Sequence, residues 1–446
     1  MEYKYSKWNI ECEYKGKIII LNTLTSAAIM VEKSDLEKIK NENFDLINKE
    51  LLNALKENGI IVNKNKEKDE NASFWLLFHT IKYRSFFDVF HLVIMPTYRC
   101  NFECKYCFED IEKLESYKEN MINPAMIKEW VEKLWNISKF NTFKVVFYGG
   151  EPFLNKILLE DYINTLKTWS EIKGVEFSFS IITNGYLLNK EDISILVEKG
   201  LGEIQITLDG VKEIHDQRRP LKGGRGSFTK IYENLISLLS LPLRIVIRTN
   251  LDRHNFLNFK DFIKLLKKDG ILSRKNVSLS PALVDPSPGK VEWCRKFVPE
   301  ILSERVQILE KIWTDLIEEI EDTNFLLNTH KVEFGLCNAK IKDSFIIGPD
   351  GSLYTCYSLI GYEEGKIGHL KEGFNSKYAE FVYSIDQKIQ QCLKKNCVFL
   401  PLCTGGCFYQ AFVEKGNISE VVCPEEFYKK IWISVKLKIY EKILKY

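Results

Sequence analysis

Apolar and polar residues exchange at almost every position between residues 7 and 32, through WNIECEY, KIIILNT and AAIMVEK, with a Lys-Gly turn between the first two segments. Successive side chains of a strand point to opposite faces, so this period of two predicts a small antiparallel sheet. The period then lengthens. Ser34 stands where it would cap a helix over DLEKIK, and LINKELLNALKENG carries Leu and Ile at helical spacing up to Gly59. With the following IIV this predicts a compact unit of strands and helices over residues 1–65. The polar run NKNKEKDENAS at 63–73 predicts a linker, so residues 66–87 are expected to hold linker and helix.

From residue 88 the pattern changes to apolar strands separated by amphipathic helices. FHLVIMP, FKVVFYG, EFSFSIITN, EIQITLD, LRIVIRTN and NVSLSPAL read as strands, with helices such as AMIKEWVEKLW and KDFIKLLKK between them. Strands joined by crossover helices imply an α/β fold with a parallel sheet. The expected form is a partial (β/α)6 barrel of TIM type across residues 88–325, with its chemistry at the C-terminal ends of the strands. Helical periodicity returns between Glu300 and Asn324. Residues 326–446 are rich in Cys, Gly and turns, and end in the amphipathic FYKKIWISVKLKIYEKILKY.

A chain of 446 residues supports several domains. Its 45% apolar and 28% charged residues and net charge of +2 describe an ordinary globular protein, with no global field toward nucleic acid or membrane. The N-terminus lacks an apolar core and no run of 18 apolar residues occurs, so a cytoplasmic protein without membrane segments is expected. In that setting the 12 cysteines point to metal binding or catalysis and not to disulfides. They fall in two regions, at 100–107 and 337–423, with Cys12 and Cys294 apart.

Cys100, Cys104 and Cys107 follow the first barrel strand in PTYRCNFECKYCFED. A structural zinc site wants four closed ligands, whereas a cubane held by three thiolates leaves one iron open to a non-protein ligand. Spacing alone leaves zinc or an incidental thiol group open, behind an iron–sulfur cluster.

Cys100-x3-Cys104-x2-Cys107, with Tyr106 before the last cysteine, resembles the signature of the radical S-adenosylmethionine (SAM) superfamily. The resemblance implies a [4Fe–4S] cluster whose open iron is chelated by SAM, and a 5′-deoxyadenosyl radical that abstracts hydrogen from unactivated carbon. It extends over residues 88–285. Gly149, Gly150, Glu151 and Pro152 are similar to the family's GGEP turn, whose backbone and Glu receive the SAM amino group. Thr183 and Asn184 resemble the family's polar residues near the methionine carboxylate and ribose. Arg248 lies where related enzymes present an Arg to the carboxylate. Each element alone has a structural reading, and their order behind the cysteines carries the resemblance. TLDGVKEIHDQRRPLKGGRGSF is similar to a stretch shared by the peptide- and protein-modifying branch. Its Asp209, His215, Asp216, Arg219, Gly226 and Ser227 read equally as a solvated loop or a substrate contact, with Asp209 a catalytic candidate.

Cys337, Gly351-x4-Cys356, Cys392-x4-Cys397-x5-Cys403-x3-Cys407 and Cys423-Pro resemble the SPASM extension, which carries two auxiliary [4Fe–4S] clusters and would bring the total to three. The usual central spacing is x2, x5, x3, so the x4 segment is a local departure. The resemblance implies an outer set of Cys392, Cys397, Cys403 and Cys423 and an inner set of Cys337, Cys356 and Cys407. The inner position left over would take a substrate thiolate or a ligand such as Cys294. Paired zinc ribbons also tolerate these spacings. Cys12, on a predicted strand, is expected as a buried thiol.

The N-terminal unit resembles the winged-helix peptide-recognition element of ribosomal peptide maturases, where a leader peptide adds as a strand. A docking domain without peptide is the other reading. The resemblance implies a peptide maturase that installs an intramolecular cross-link, thioether favoured, using a flavodoxin- or ferredoxin-type electron donor. A C–C cross-linking maturase and an anaerobic sulfatase maturase making formylglycine are the alternatives. The sulfatase family places an Asp base after the cysteine of the Gly-x4 element. Tyr357 stands there instead, and is the second catalytic candidate.

Overall fold

β1 (Tyr3–Tyr5), β2 (Asn9–Tyr14), β3 (Lys17–Asn22) and β4 (Ala28–Val31) open the chain, and β2, β3 and β4 form an antiparallel sheet with β3 in the middle. Lys15 and Gly16, both left-handed at φ 48° and 82°, make the first turn. β3 reads as an unbroken apolar run because both its faces are covered. Ile18 and Ile20 pack on Leu36, Ile39 and Leu55 of the helices Lys33–Lys40 and Lys49–Glu57. On the other face Ile19, Leu21 and the buried free thiol of Cys12 meet Trp432, Ile433, Leu437 and Tyr440 near the C-terminus. β5 (Ile61–Asn63) returns to pair antiparallel with β1. The structure, a computed structural model, describes residues 3–64, 67–82, 88–107, 122–285, 298, 302–322, 337–341 and 344–443.

Two local expectations are corrected. Ser34 is not a cap: the helix begins at Lys33, after Glu32, with no side-chain cap bond. The polar run at 63–73 is not all linker, because a helix spans Glu67–Lys82. Its polar half is held by one buried carboxylate. Glu70 accepts from the Ser6 hydroxyl at 2.7 Å and the Lys7 amide at 3.1 Å. Phe74 and Phe78, one turn apart, stack at 6.1 Å beside Trp8, so the helix is driven by tertiary burial that its hydrophilic first turns do not announce.

β6 (Val89–Ile94), β7 (Thr142–Phe147), β8 (Glu176–Thr183), β9 (Leu201–Thr207), β10 (Arg244–Leu251) and β11 (Val277–Leu283) lie within two residues of the expected strands and pair in parallel, in sequence order. Helices such as Pro124–Ser138, Lys156–Lys173 and Phe259–Lys268 cross between them. Asn123 begins the first of these by accepting from the Met126 amide, with Pro124 in the first turn. Phe90, Leu92, Ile94, Phe143, Phe147 and Phe179 fill the main core on one face of the sheet.

The sheet continues beyond the six strands. β12 (Ser344–Ile347) adds in parallel to β6, followed by antiparallel β13 (Ser352–Tyr354), β14 (Lys366–His369) and β15 (Gly373–Phe374). The ten-stranded order β11-β10-β9-β8-β7-β6-β12-β13-β14-β15 carries the cysteine-rich region on the same sheet as the barrel strands, and so places its turns beside the ends of β6 and β7. Among the described residues no helix is long and apolar enough to cross a membrane.

Candidate cofactor and cluster sites

The C-terminal ends of the parallel strands surround a cavity of about 470 Å³. Cys100, Cys104, Tyr106 and Cys107 reach it from the loop after β6, Tyr148, Gly149 and Gly150 from the turn after β7, and Thr183 and Asn184 from the end of β8. Arg248 arrives from β10, and Tyr357 from the C-terminal region. The arrangement also brings in residues not singled out as ligands: Gln205 and Thr207 on β9, Asn250 on β10, Arg219 and Ser358. The alternation in EIQITLD, with Gln and Thr two apart, could have signalled the first two. No Asp or Glu lines the cavity among the described residues.

The two glycines are required by close approach. A Cβ on Gly150 would collide with the backbone oxygens of Arg99 and of Tyr98, the latter at 2.5 Å, and one on Gly149 would lie 2.6 Å from the Thr97 oxygen. Thus the turn after β7 is pressed against the chain that leads into the cysteines.

Glu151 and Pro152 do not line the cavity. Glu151 is fully buried, with the Thr183 hydroxyl 2.8 and 2.9 Å from its two oxygens and the amides of Asn184 and Phe153 donating at 2.8 and 3.1 Å. Its carboxylate ties the end of β8 to the Gly-Gly turn, and so positions the cavity wall from behind. Burial raises its pKa, opposed by these same hydrogen bonds.

Asp209 is likewise turned away. Its carboxylate accepts from Arg218 Nε at 3.2 Å and from the Asn250 amide at 3.1 Å, while Arg218 Nη1 reaches Asp252 at 2.6 Å. Burial pushes its pKa up, but the charges of Arg218 and Arg219 hold it below the usual carboxylate range. The carboxylate sits inside an ion-pair network one residue behind the cavity wall, where it also interacts with Tyr106, which lines the cavity.

The rest of the stretch after β9 is mostly packed against the protein, and one of its residues reaches the cavity. His215 is fully buried, with its Nδ1 accepting from the Asp209 amide at 3.2 Å and its Nε2 donating to Ser227 Oγ at 3.0 Å. Ser227 Oγ in turn donates to the Arg219 carbonyl at 2.7 Å. Burial, then Arg219, lowers His215 to about 3. Asp216 accepts from the amides of Ser227 and Phe228 at 2.8 Å, at the start of the helix Phe228–Leu238. A Cβ on Gly226 would strike that carboxylate. Arg219 alone of this group reaches the cavity, donating to the Tyr106 hydroxyl at 2.5 Å while its Nε has no hydrogen-bond partner.

The donor set fits an iron–sulfur cluster beside an anionic, amino-acid-like ligand. Three thiols face a polar cavity containing Arg219 and Arg248, and the Nε of Arg219 is a buried donor with capacity to spare. Burial pushes the Cys100 thiol up to about 12, with Cys104 adding to it, and burial also raises Cys104. Ligation therefore entails proton release from these sulfurs.

The C-terminal cysteines form two further sets. Cys392, Cys397, Cys403 and Cys423 line one small cavity with Phe399, Leu400, Val421 and Tyr428. The x4 departure has a local cause. Cys392 lies in the last turn of the helix Ser376–Lys394, and Asn396, left-handed at φ 50°, turns the chain so that the Cys397 amide donates back to the Cys392 carbonyl at 3.2 Å. Cys337, Cys356 and Cys407 each stand at the start of a short helical turn. Burial, then the proximity of Cys337 and Cys407, raises the Cys356 thiol. Cys294 lies outside the described residues. Among the described residues no three Cys, His, Asp or Glu side chains converge on a single-ion site. Tyr357 follows Cys356 directly; its ring meets Tyr148 edge-on at 5.3 Å, and its hydroxyl accepts from Asn338 at 3.4 Å.

Residues 94–279, which run from the end of β6 into β11 and hold the first cysteine group, match the radical SAM superfamily. The chain is 28% identical over 323 residues to a cysteine-type anaerobic sulfatase-maturating enzyme of Clostridium novyi, covering 69% of this chain and 84% of that one. It is 25% identical over 337 residues to the PqqA peptide cyclase of Bradyrhizobium diazoefficiens, covering 72% and 82%. Among solved structures, native anSMEcpe with bound AdoMet and Kp18Cys peptide aligns with a TM-score of 0.60 at 19% identity, over 80% of this chain and 97% of that one. Streptococcus suis SuiB bound to S-adenosylmethionine aligns with a TM-score of 0.53 at 14% identity, over 95% and 99%. Both share the fold.

Proposed function

We propose that the chain is a peptide maturase that binds SAM in the strand-end cavity and installs an intramolecular cross-link in a precursor peptide, with a thioether favoured. The observation that carries this reading is the pairing of three thiols with a polar, cationic cavity into which the cysteine-rich region also projects Tyr357. When bound, a [4Fe–4S] cluster on Cys100, Cys104 and Cys107 supplies the electron that converts SAM to a hydrogen-abstracting radical. Arg248 and Arg219 orient the SAM carboxylate, Thr183 and Asn184 its neighbouring polar groups, and Gly149 and Gly150 admit the ligand against bare backbone.

Two auxiliary [4Fe–4S] clusters fit the remaining thiols, an outer one on Cys392, Cys397, Cys403 and Cys423 and an inner one on Cys337, Cys356 and Cys407. An inner set of three thiols leaves room for a substrate sulfur, which favours the thioether. The units expected at 1–65, 66–87, 88–325 and 326–446 keep their roles in this reading. β4 pairs only with β3 among the described residues, so its outer edge can accept a leader peptide as an added strand. A flavodoxin- or ferredoxin-type protein would deliver the electron.

Formylglycine formation is the second reading, favoured by the sulfatase-maturating relatives. A C–C link is the third, and a peptide cyclase stands among the relatives. Against formylglycine stands the absence of a carboxylate base among the cavity's described lining residues, with Tyr357 where the sulfatase maturases carry Asp. The test is mass spectrometry of the reconstituted enzyme with SAM, reductant and its candidate precursor. A loss of two hydrogens per link, no reaction with an aldehyde-specific hydrazine, and a modified Cys is the expected product. Hydrazine capture would replace the thioether by formylglycine, and an unchanged peptide mass would sink the maturase reading.

A further inference from the structure

The outer and inner thiol sets meet at one short loop. Cys403 belongs to the first and Cys407 to the second, and Thr404, Gly405 and Gly406 between them are all left-handed, at φ 50°, 88° and 86°. The Gly406 amide donates to Cys403 Sγ at 3.1 Å. Two lysines are buried against this loop. Lys340 is 4% exposed, and its ammonium donates to the Cys403 carbonyl and to Thr404 Oγ1, both at 2.8 Å.

Lys388 is 2% exposed and stands one helical turn before Cys392 on Ser376–Lys394. Its Nζ lies 4.3 Å above the Phe408 ring and has no hydrogen-bond partner. Gly405 makes room for its stem, since a Cβ there would lie 2.9 Å from Lys388 Cβ. Neither lysine has a carboxylate within ion-pair distance among the described residues. Two neighbouring buried cations without a counter-ion are costly unless an anion shares the site.

We propose that Lys388 tunes the auxiliary clusters: its ammonium donates to, and neutralises, the negative charge of a thiolate-bound cluster at the Cys403–Cys407 loop, while Lys340 holds that loop in place. This rests on the auxiliary-cluster reading above. A nearby cation stabilises the reduced, more negative state, so Lys388 raises that cluster's reduction potential.

The test uses the full chain, reconstituted with iron and sulfide, carrying Cys100→Ala, Cys104→Ala and Cys107→Ala so that only auxiliary signals remain. Iron per chain and the EPR-monitored midpoint potential are measured with Lys388 intact, with Lys388→Met, and with Lys388→Arg. About eight irons per chain are expected in the background protein. Lys388→Met should keep them and shift the reduction equilibrium about tenfold toward the oxidised state, which is 59 mV for one electron. Lys388→Arg should restore the midpoint to within about threefold of the parent.

A midpoint unmoved by Lys388→Met, or moved as far by Lys388→Arg, overturns the proposal. Should Lys388→Met lose iron, retention of iron by Lys388→Arg supports charge as the requirement, whereas loss in both shows that packing decides and overturns it. A background protein without iron removes the auxiliary-cluster reading itself, and the lysine proposal with it.

Discussion

The strand-end site and the outer cysteine site place similar thiols in opposite surroundings. At the first, three cysteines face a cavity of about 470 Å³ lined by Arg, Asn, Thr and Gln. At the second, four cysteines close around a small pocket whose other walls are mostly Phe, Leu, Val and Pro. A polar wall with one thiol too few marks a centre that takes up a ligand. A fourth thiol and an apolar wall mark one that does not. The two regions also hold their shape differently: a buried ion-pair network stands behind the first, while glycine turns and a lysine brace the second.

The largest effect should separate the two sites outright. Cys100→Ala, Cys104→Ala or Cys107→Ala each removes a ligand from the open site, and 5′-deoxyadenosine formation after reduction should fall below detection. Cys403→Ala should leave some SAM cleavage while abolishing peptide product, as should loss of Cys337, Cys356 or Cys407. Equal cleavage activity in the Cys100→Ala and Cys403→Ala proteins would falsify the distinction.

Next in size is the network behind the first site. Asp209→Asn weakens one of the two buried partners of Arg218 while Asp252 still neutralises it, a change that costs about 1.5–3 kcal/mol of stability. Because Asp209 does not face the cavity, the folded fraction should retain SAM cleavage. Chemical denaturation beside a cleavage assay at low temperature measures both, and a catalytically dead but fully stable variant would restore Asp209 as a proton carrier.

The same network makes stability depend on pH. His215, packed among Arg218, Arg219, Asp209 and Asp216, is lowered to about 3 chiefly by burial, against about 6.5 in an unfolded chain. Above about 6.5 neither state is protonated and its contribution is whole. As pH falls below that value the unfolded chain takes up the proton first, so stability declines until the folded value is reached. Between pH 6.5 and 5 the loss is about 2 kcal/mol. His215→Asn should flatten this part of the denaturation profile, and an unchanged slope would assign it to other groups.

Glycine replacements compare the two regions at a smaller scale. Both Gly150→Ala and Gly406→Ala drive a Cβ into backbone oxygen, of Tyr98 and of Val422 respectively, each at 2.5 Å. Each should cost about 1–3 kcal/mol. Their consequences should diverge: Gly150→Ala weakens SAM binding with auxiliary iron intact, and Gly406→Ala lowers auxiliary iron with SAM binding intact. Equilibrium dialysis of SAM and iron analysis on both proteins would expose a shared defect.

What the sequence disclosed follows from where its signals are local. Six parallel strands were legible because each is an apolar run flanked by helical spacing, and the Cys triplet because its spacing is self-contained. The roles of Glu151 and Asp209 were not, since a carboxylate beside a strand end reads the same whether it faces the cavity or the core, and only the positions of Thr183 and Arg218 decide it. The helix at Glu67–Lys82 was hidden for a similar reason: Glu70 looks solvated until Ser6 and Lys7, more than sixty residues away, are brought to it. β12 joining β6 depends on a pairing across about 250 residues that no local pattern encodes.

The smallest expected effect concerns the loop that separates the auxiliary sets. Thr404 is β-branched and left-handed at φ 50°, a conformation that costs an L-residue about 1–2 kcal/mol and glycine almost nothing. Thr404→Gly relieves that strain. It also removes an acceptor from Lys340, a bond worth about 1 kcal/mol, and frees the unfolded chain by a further 0.5–1 kcal/mol or so. The opposing terms are of equal size, so the denaturation midpoint should lie within about 1 kcal/mol of the parent at unchanged slope. A loss well beyond that would mean that Lys340 grips the Cys403–Cys407 loop mainly through the Thr404 hydroxyl, and that its remaining bond to the Cys403 carbonyl is too little to hold the loop in register.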